Sequence, residues 1–222
     1  MSEFNHAKMT PWGYIIDTET LPDFISPLEF SMFTNNKFDG DVRIQSNIPS
    51  ATASIRNYCG WHISPNLTCG MLYRVQDLRD AFIGSDLLVQ LPATFVTSVD
   101  KVVLDAVLNP LTGFYEGEET TDFSIGMGDG LVRIYDVGVR DRKSNIFIKY
   151  SAGLPETEIQ VIKELTAHRV VHAVSSSYGV MSESVGGVSV SYNASWAGNT
   201  RSTALPDDNR EVLETYKVKG VF

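Results

Sequence analysis

A chain of 222 residues with a formal net charge of −9 and two cysteines is long enough to bury a sizeable core. It is too acidic overall for the basic field that drives tight phosphate binding, and too poor in cysteine for a disulfide-stapled secreted scaffold. Its 43% hydrophobic and 20% charged residues match folded globular chains and exclude the depleted, highly charged make-up of disorder.

Residues 1–11 lack the charged-then-apolar pattern of a secretion signal. No apolar run approaches the roughly 18 residues of a membrane span, so the expectation is a reduced cytosolic setting and no membrane. Residues 1–41 mix Asn, Asp, Pro and Thr with scattered aromatics (Phe4, Trp12, Tyr14, Phe24, Phe30, Phe33, Phe38). They show no sustained period and read as an arm that packs on something. Within them Ser26-Pro27-Leu28-Glu29 has the marks of a helix start: Ser26 as N-cap, Pro27 at the first helical position, and Glu29 placed to answer the cap.

Over 42–58, Ile44, Ile48, Ala51, Ile55 and Tyr58 recur at steps of four, three, four and three, one apolar stripe on a helix. Pro49 is expected to end a first short helix near Asn47 and start a second, because proline fits a first turn and not an interior. Gly60 closes the helix, and Ser64-Pro65-Asn66 is loop chemistry.

Beyond Cys69 the pattern turns to β character, with strands expected over 71–75, 86–91, 95–104, 123–135 and 145–150. The run Gly126-Met127-Gly128-Asp129-Gly130 reads as a hairpin turn that needs positive φ. Pro155 and the early acids Glu156 and Glu158 announce another helix N-terminus. Ile159, Ile162, Leu165, Thr166, Arg169, Val170, Ala173 and Val174 then predict a long amphipathic helix to about Ser176. Residues 177–205 are rich in Ser, Gly and Asn, a short helix is expected over 207–216, and a basic, apolar tail covers 217–222.

Few residues combine into chemistry. Cys59, His62 and Cys69 begin like a zinc knuckle but supply three ligands at best. A fourth would have to come from His168 or His172, so a small buried cysteine beside a packing Trp61 is favoured. His168 and His172 stand four apart as in the metalloprotease pattern, yet Arg169 occupies the place of the required glutamate. The glycine runs match neither phosphate-cradling pattern, and no serine or cysteine stands in a nucleophile elbow. The expectation is no catalytic residue, no metal and no cofactor.

Two passages, Ala51-Thr52-Ala53-Ser54-Ile55-Arg56-Asn57-Tyr58-Cys59-Gly60-Trp61-His62 and the stretch from Tyr150 through the long helix to Ser182-Glu183-Ser184-Val185-Gly186-Gly187-Val188-Ser189-Val190-Ser191-Tyr192 and a last helix with Leu213 and Tyr216, resemble the head–tail connector (adaptor) proteins of long-tailed bacteriophages and prophages. In order, the two cover about residues 25–220. The resemblance implies a non-enzymatic virion protein of the neck, assembled in the host cytoplasm. It implies a homo-oligomeric ring, commonly a dodecamer, between the portal and the stopper or tail-completion proteins, with double-stranded DNA passing through during packaging, retention and ejection. No sequence-specific DNA binding is expected. Another neck, tail-completion or baseplate protein is the alternative, and a zinc-dependent hydrolase a more distant one.

The fold expected from this is α+β: a helical connector core with a small antiparallel β insertion and extended terminal arms. Its parts are an N-terminal arm (1–25), a first helical part (26–66), the β-rich insertion (67–153), a second helical part (154–216, with a long loop over 177–205) and the tail (217–222). Ring and core packing is expected from Ile55, Tyr58, Trp61, Ile162, Leu165, Val170, Leu213 and Tyr216, and portal binding from Lys217, Val218, Lys219, Gly220, Val221 and Phe222. The tail alternates charge with apolar side chains and so suits a strand added to a partner's edge.

Overall fold

A computed structural model describes residues 4, 6–111, 113–126, 129–137, 144–175, 182–185, 188–191 and 207–218. The expected helical connector core is overturned: only about 31% of the structure is helical, and ten strands among the described residues lie in two antiparallel sheets. Two compact units divide the chain, one from Met1–Pro22, Arg56–Ile159 and Leu213–Phe222, the other from Asp23–Ile55 and Gln160–Val212.

The first unit is built on a six-stranded sheet. Its strands are β1 (Ala7–Met9), β2 (Ile15–Asp17), β3 (Leu67–Arg74), β6 (Val96–Leu108), β7 (Tyr115–Thr120) and β10 (Asn145–Ala152), in the order β1-β2-β3-β10-β6-β7. The reason for the correction lies here. Residues read as an arm supply two strands, and β10 is a central strand paired on both sides, so backbone pairing runs from residue 7 to residue 152.

β10 buries Ile146, Phe147, Ile148, Tyr150 and Ala152, the pattern of a strand covered on both faces. Phe4, Val103, Ala106 and Phe147 form one core cluster on this sheet, joined by Ile15 and Tyr115. The Tyr115 ring stacks on Phe147 at 4.0 Å, and Phe4 meets Phe147 edge-on. Gly70 allows that approach, since a Cβ there would stand 2.6 Å from the Phe4 ring. β6 is bulged between Leu104 and Val107, where Asp105 takes φ 54; a short polar side chain tolerates this left-handed conformation.

A four-stranded antiparallel sheet, β4 (Phe82–Ile83), β5 (Asp86–Gln90), β9 (Leu131–Ile134) and β8 (Phe123–Gly126) in spatial order, completes the β structure of this unit. It buries Leu87, Val89, Val132 and Ile134. β8 and β9 pair with Gly126 opposite Leu131, and Gly130 has φ +69, the left-handed backbone that a glycine supplies most easily. Tyr73 of β3 donates to the Gln90 carbonyl of β5 at 2.7 Å.

The second unit is helical where its side chains are described. α1 (Pro27–Phe33) starts on the expected capping box: Glu29 N–H donates to Ser26 Oγ and Ser26 N–H to the Glu29 carboxylate. α2 (Ile44–Cys59) is one helix with Pro49 inside it, where a break was expected. The proline removes the donor for the carbonyl four residues back, on exposed Gln45, which water can serve.

α3 (Glu156–Ser175) contributes Ala167, Val170 and Val174 to a cluster with Ile25, Phe30, Ile44, Ile48 and Ala51. Burying each larger side chain of that set stabilises the unit by roughly 1.5–3 kcal/mol. Within the stretch expected as a long loop, β11 (Ser182–Val185) and β12 (Val188–Ser191) pair antiparallel; the other residues of 177–205 lie outside the described residues. α4 (Asp207–Glu214) is the last helix.

Candidate functional site

The end of the first passage, Arg56 to His62, lies in the first unit, around the turn that ends α2. Gly60 has φ +79 and its N–H donates to the Arg56 carbonyl at 2.8 Å, so the helix closes on a residue with no side chain to strain. The chain then turns inward, and Trp61, His62 and Ile63 are all fully buried.

Every polar atom of His62 is engaged. Its backbone N–H donates to the Tyr14 hydroxyl at 3.0 Å, and that hydroxyl stands 2.8 Å from Nδ1. Nε2 lies 3.0 Å from the Ala152 carbonyl and 3.1 Å from the Pro65 carbonyl. Carbonyl oxygens only accept, so Nε2 carries the hydrogen and Nδ1 accepts from Tyr14. Burial pushes the His62 pKa down to about 4, which keeps the ring neutral in this role.

Arg56 is buried and reaches three carbonyls: Nε donates to the His62 carbonyl at 2.9 Å, and Nη2 to the Pro22 and Ser64 carbonyls at 2.7 and 3.0 Å. A guanidinium fork is suited to gathering several acceptors at once. It fixes the turn on both sides of His62.

The last helix meets the same turn. Cys59 Sγ donates to the Leu213 carbonyl, Trp61 Nε1 donates to the Tyr216 carbonyl at 2.7 Å, and Tyr58 donates to Glu214. The Trp61, Phe95 and Tyr216 rings stack in series with centroids 6.4 and 6.1 Å apart. Val218 N–H donates to the Cys59 carbonyl at 3.0 Å, and Lys217 sits over the Tyr58 ring while pairing with Glu214. Of the tail residues expected at a portal, Lys219, Gly220, Val221 and Phe222 lie outside the described residues.

Chemically these groups fasten chain segments together. Burial pushes the Cys59 and Cys69 thiols up to about 12, far from thiolate formation at neutral pH. The Tyr14 hydroxyl is raised by burial as well. Among the described residues no three His, Cys, Asp or Glu side chains are grouped as metal ligands. His168 and His172 are exposed on α3, in residues of the other unit.

That second unit has a cavity of about 370 Å³ lined by Phe33, Phe38 and Val171 together with Lys37, Glu164 and His168. Of the other residues expected to pack, Ile55, Ile162, Val170 and Leu213 are buried, whereas Tyr58, Leu165 and Tyr216 are half-buried.

Sequence reasoning did not find Tyr14 or Arg56. Tyr14 lies 48 residues from its histidine, in a stretch without periodicity, and no local signal links the two. Arg56 had a signal: a cation in the last turn of a helix, ahead of a Gly-Trp-His turn full of carbonyls. No protein-family model matches the chain, and no curated protein matches it.

Proposed function

We propose that this chain is a structural subunit of the neck of a tailed bacteriophage, a head–tail adaptor that joins the portal to the stopper or tail-completion proteins and leaves a passage for double-stranded DNA. One observation supports the reading. The Tyr-Cys-Gly-Trp-His turn and the segment carrying Leu213 and Tyr216, which hold much of the resemblance to adaptors, are bonded to each other through Tyr58, Cys59 and Trp61. Their combination therefore has a physical basis: one closes on the other. Of the groups that suggested chemistry, Cys59 is spent on that closure, and His62 is committed to Tyr14 and to the Pro65 and Ala152 carbonyls.

In this reading the protein acts by shape, as a ring of about twelve copies whose repeated weak contacts add up. The DNA slides past an acidic subunit and is not read by it. Val218 is already hydrogen-bonded to Cys59, so portal contact falls to residues 219–222.

The test is a phage or prophage genome carrying this gene with the gene deleted. The expected outcome is filled heads and free tails that fail to join, rescued by supplying the protein, which is then found at the neck of purified particles by antibody labelling. Intact particles assembled without it would overturn the proposal.

A further inference from the structure

We infer that copies of this chain join edge to edge through the six-stranded sheet, β7 of one copy pairing antiparallel with β1 of the next. The first argument is topological. Every neighbouring pair in the order β1-β2-β3-β10-β6-β7 is antiparallel, so six strands alternate in direction and the two edges run opposite ways. Setting a second copy beside the first in the same sense puts β1 antiparallel to β7 and continues the alternation without a break. Such a contact is heterologous: each copy offers one edge and uses the other, which is how subunits form rings.

Charge selects this pairing over the symmetric ones. β7 carries Glu116, Glu118 and Glu119 and no cation, whereas β1 carries Lys8 and no acid. Two β7 strands side by side would oppose carboxylates, and two β1 strands would oppose their lysines; β7 beside β1 sets Lys8 among glutamates, and opposite charges across strands attract. Charged edges also keep a sheet from pairing indiscriminately, so the same glutamates that exclude other edges mark the one that fits.

Direction brings the apolar residues together as well. In an antiparallel junction Met9, at the end of β1, falls toward Tyr115, at the start of β7. Tyr115 is paired with Leu108 of β6, beside exposed Val107 and the loop residue Leu111. Met9 is 63% exposed and Leu111 is 94% exposed; the junction would cover these side chains with one another. The inference rests on the adaptor reading only for closure of the row of copies into a ring.

Sedimentation and negative-stain imaging of the full chain test it, with Lys8→Glu, with Glu116→Lys plus Glu119→Lys, and with all three together. All three positions are on exposed strand surfaces, so each protein should fold, and circular dichroism checks that. Wild type is expected to self-associate, either edge variant to weaken association roughly tenfold, and the combined variant to regain most of it. A wild type that stays monomeric at every concentration, oligomers indifferent to both edge variants, or a combined variant no better than the single ones would overturn the inference. Edge-paired oligomers from a protein absent from virions would leave it standing and sink the adaptor reading; neck-located protein whose rings ignore the edge variants would do the reverse.

Discussion

His62 and His168 carry the same side chain in opposite circumstances. In the first unit His62 has no exposed surface, one ring nitrogen accepting from Tyr14 and the other donating toward two carbonyls. In the second unit His168 is exposed beside an open cavity with Lys37 and Glu164. A histidine pattern in the sequence is equally compatible with both. What separates them is whether the polar atoms are already committed, because a committed group in low dielectric is a structural joint and resists any change of protonation. The Tyr58–His62 turn is therefore where substitution should be felt most.

The largest effect is expected at Trp61. Its ring is fully buried between Phe95 and His62, and its N–H holds the Tyr216 carbonyl. Trp61→Ala should remove about 3–5 kcal/mol, as aromatic truncations in cores do, and should free the segment around Tyr216. Urea unfolding measures the first and hydrogen exchange at 213–218 the second. The matched change in the other unit, His168→Gln, should alter stability by less than about 0.5 kcal/mol. Equal effects would erase the contrast between the two regions.

Acid should act next, through His62. Its folded pKa is depressed to about 4 against an ordinary 6.5. The unfolded chain thus binds a proton below 6.5 that the folded chain refuses until about 4, and stability falls as pH falls through that window. The full loss is about 3 kcal/mol. Denaturation midpoints at pH 7, 5.5 and 4.5 should show it, and His62→Gln, although weaker at pH 7, should flatten the dependence. A wild-type slope unchanged by that substitution would mean that the ring is not the group responsible.

The thiols sharpen the same contrast at smaller scale. Both cysteines are buried with pKa values raised to about 12. Native protein at pH 8 should resist alkylation at Cys59 and Cys69 and react fully in denaturant, as mass spectrometry would record. Rapid labelling of native Cys59 would show that the contact with Leu213 opens readily.

Local features were legible in the sequence, and long-range ones were not. The Ser26 cap, the span of α3, the strands β3, β5, β6 and β10, and the hairpin of β8 and β9 each follow from a pattern contained within one segment. The weight of the β structure was missed because its outer strands lack such a pattern. β1 and β2 have three residues each, and β7, Tyr115–Thr120, is half glutamate with a glycine, residues that strand propensity disfavours. Those strands form because β3 and β6 offer edges to pair with, which is information about the assembled sheet. Pro49 misled in the other direction: the helix runs through it, with the carbonyl it leaves without a donor on exposed Gln45. At the candidate site the turn was legible as a unit; its partners Tyr14 and Ala152 were not, being 48 and 90 residues away.

The smallest effect belongs to the corner of the second unit where α1 begins. Ser26 and Glu29 exchange hydrogen bonds, and Glu29 also accepts from Lys163 of α3 at 2.7 Å, so one carboxylate caps one helix and ties it to another. The hydrogen bonds from Lys163 and the Ser26 backbone hold the Glu29 carboxyl down to about 2. That contribution is present above the ordinary carboxylate range and is lost as pH falls toward 2. The Glu29 side chain is 38% exposed, so solvent screening reduces the ion pair to well under about 1 kcal/mol. The cap is worth more than the pair: Ser26→Ala should cost about 1 kcal/mol, and Lys163→Met less than half of that. Because the two act through one carboxylate, the double variant should lose less than the sum, and a thermal-melt double-mutant cycle reads the difference directly. Strict additivity would mean that capping and pairing are independent, with Glu29 serving Ser26 alone.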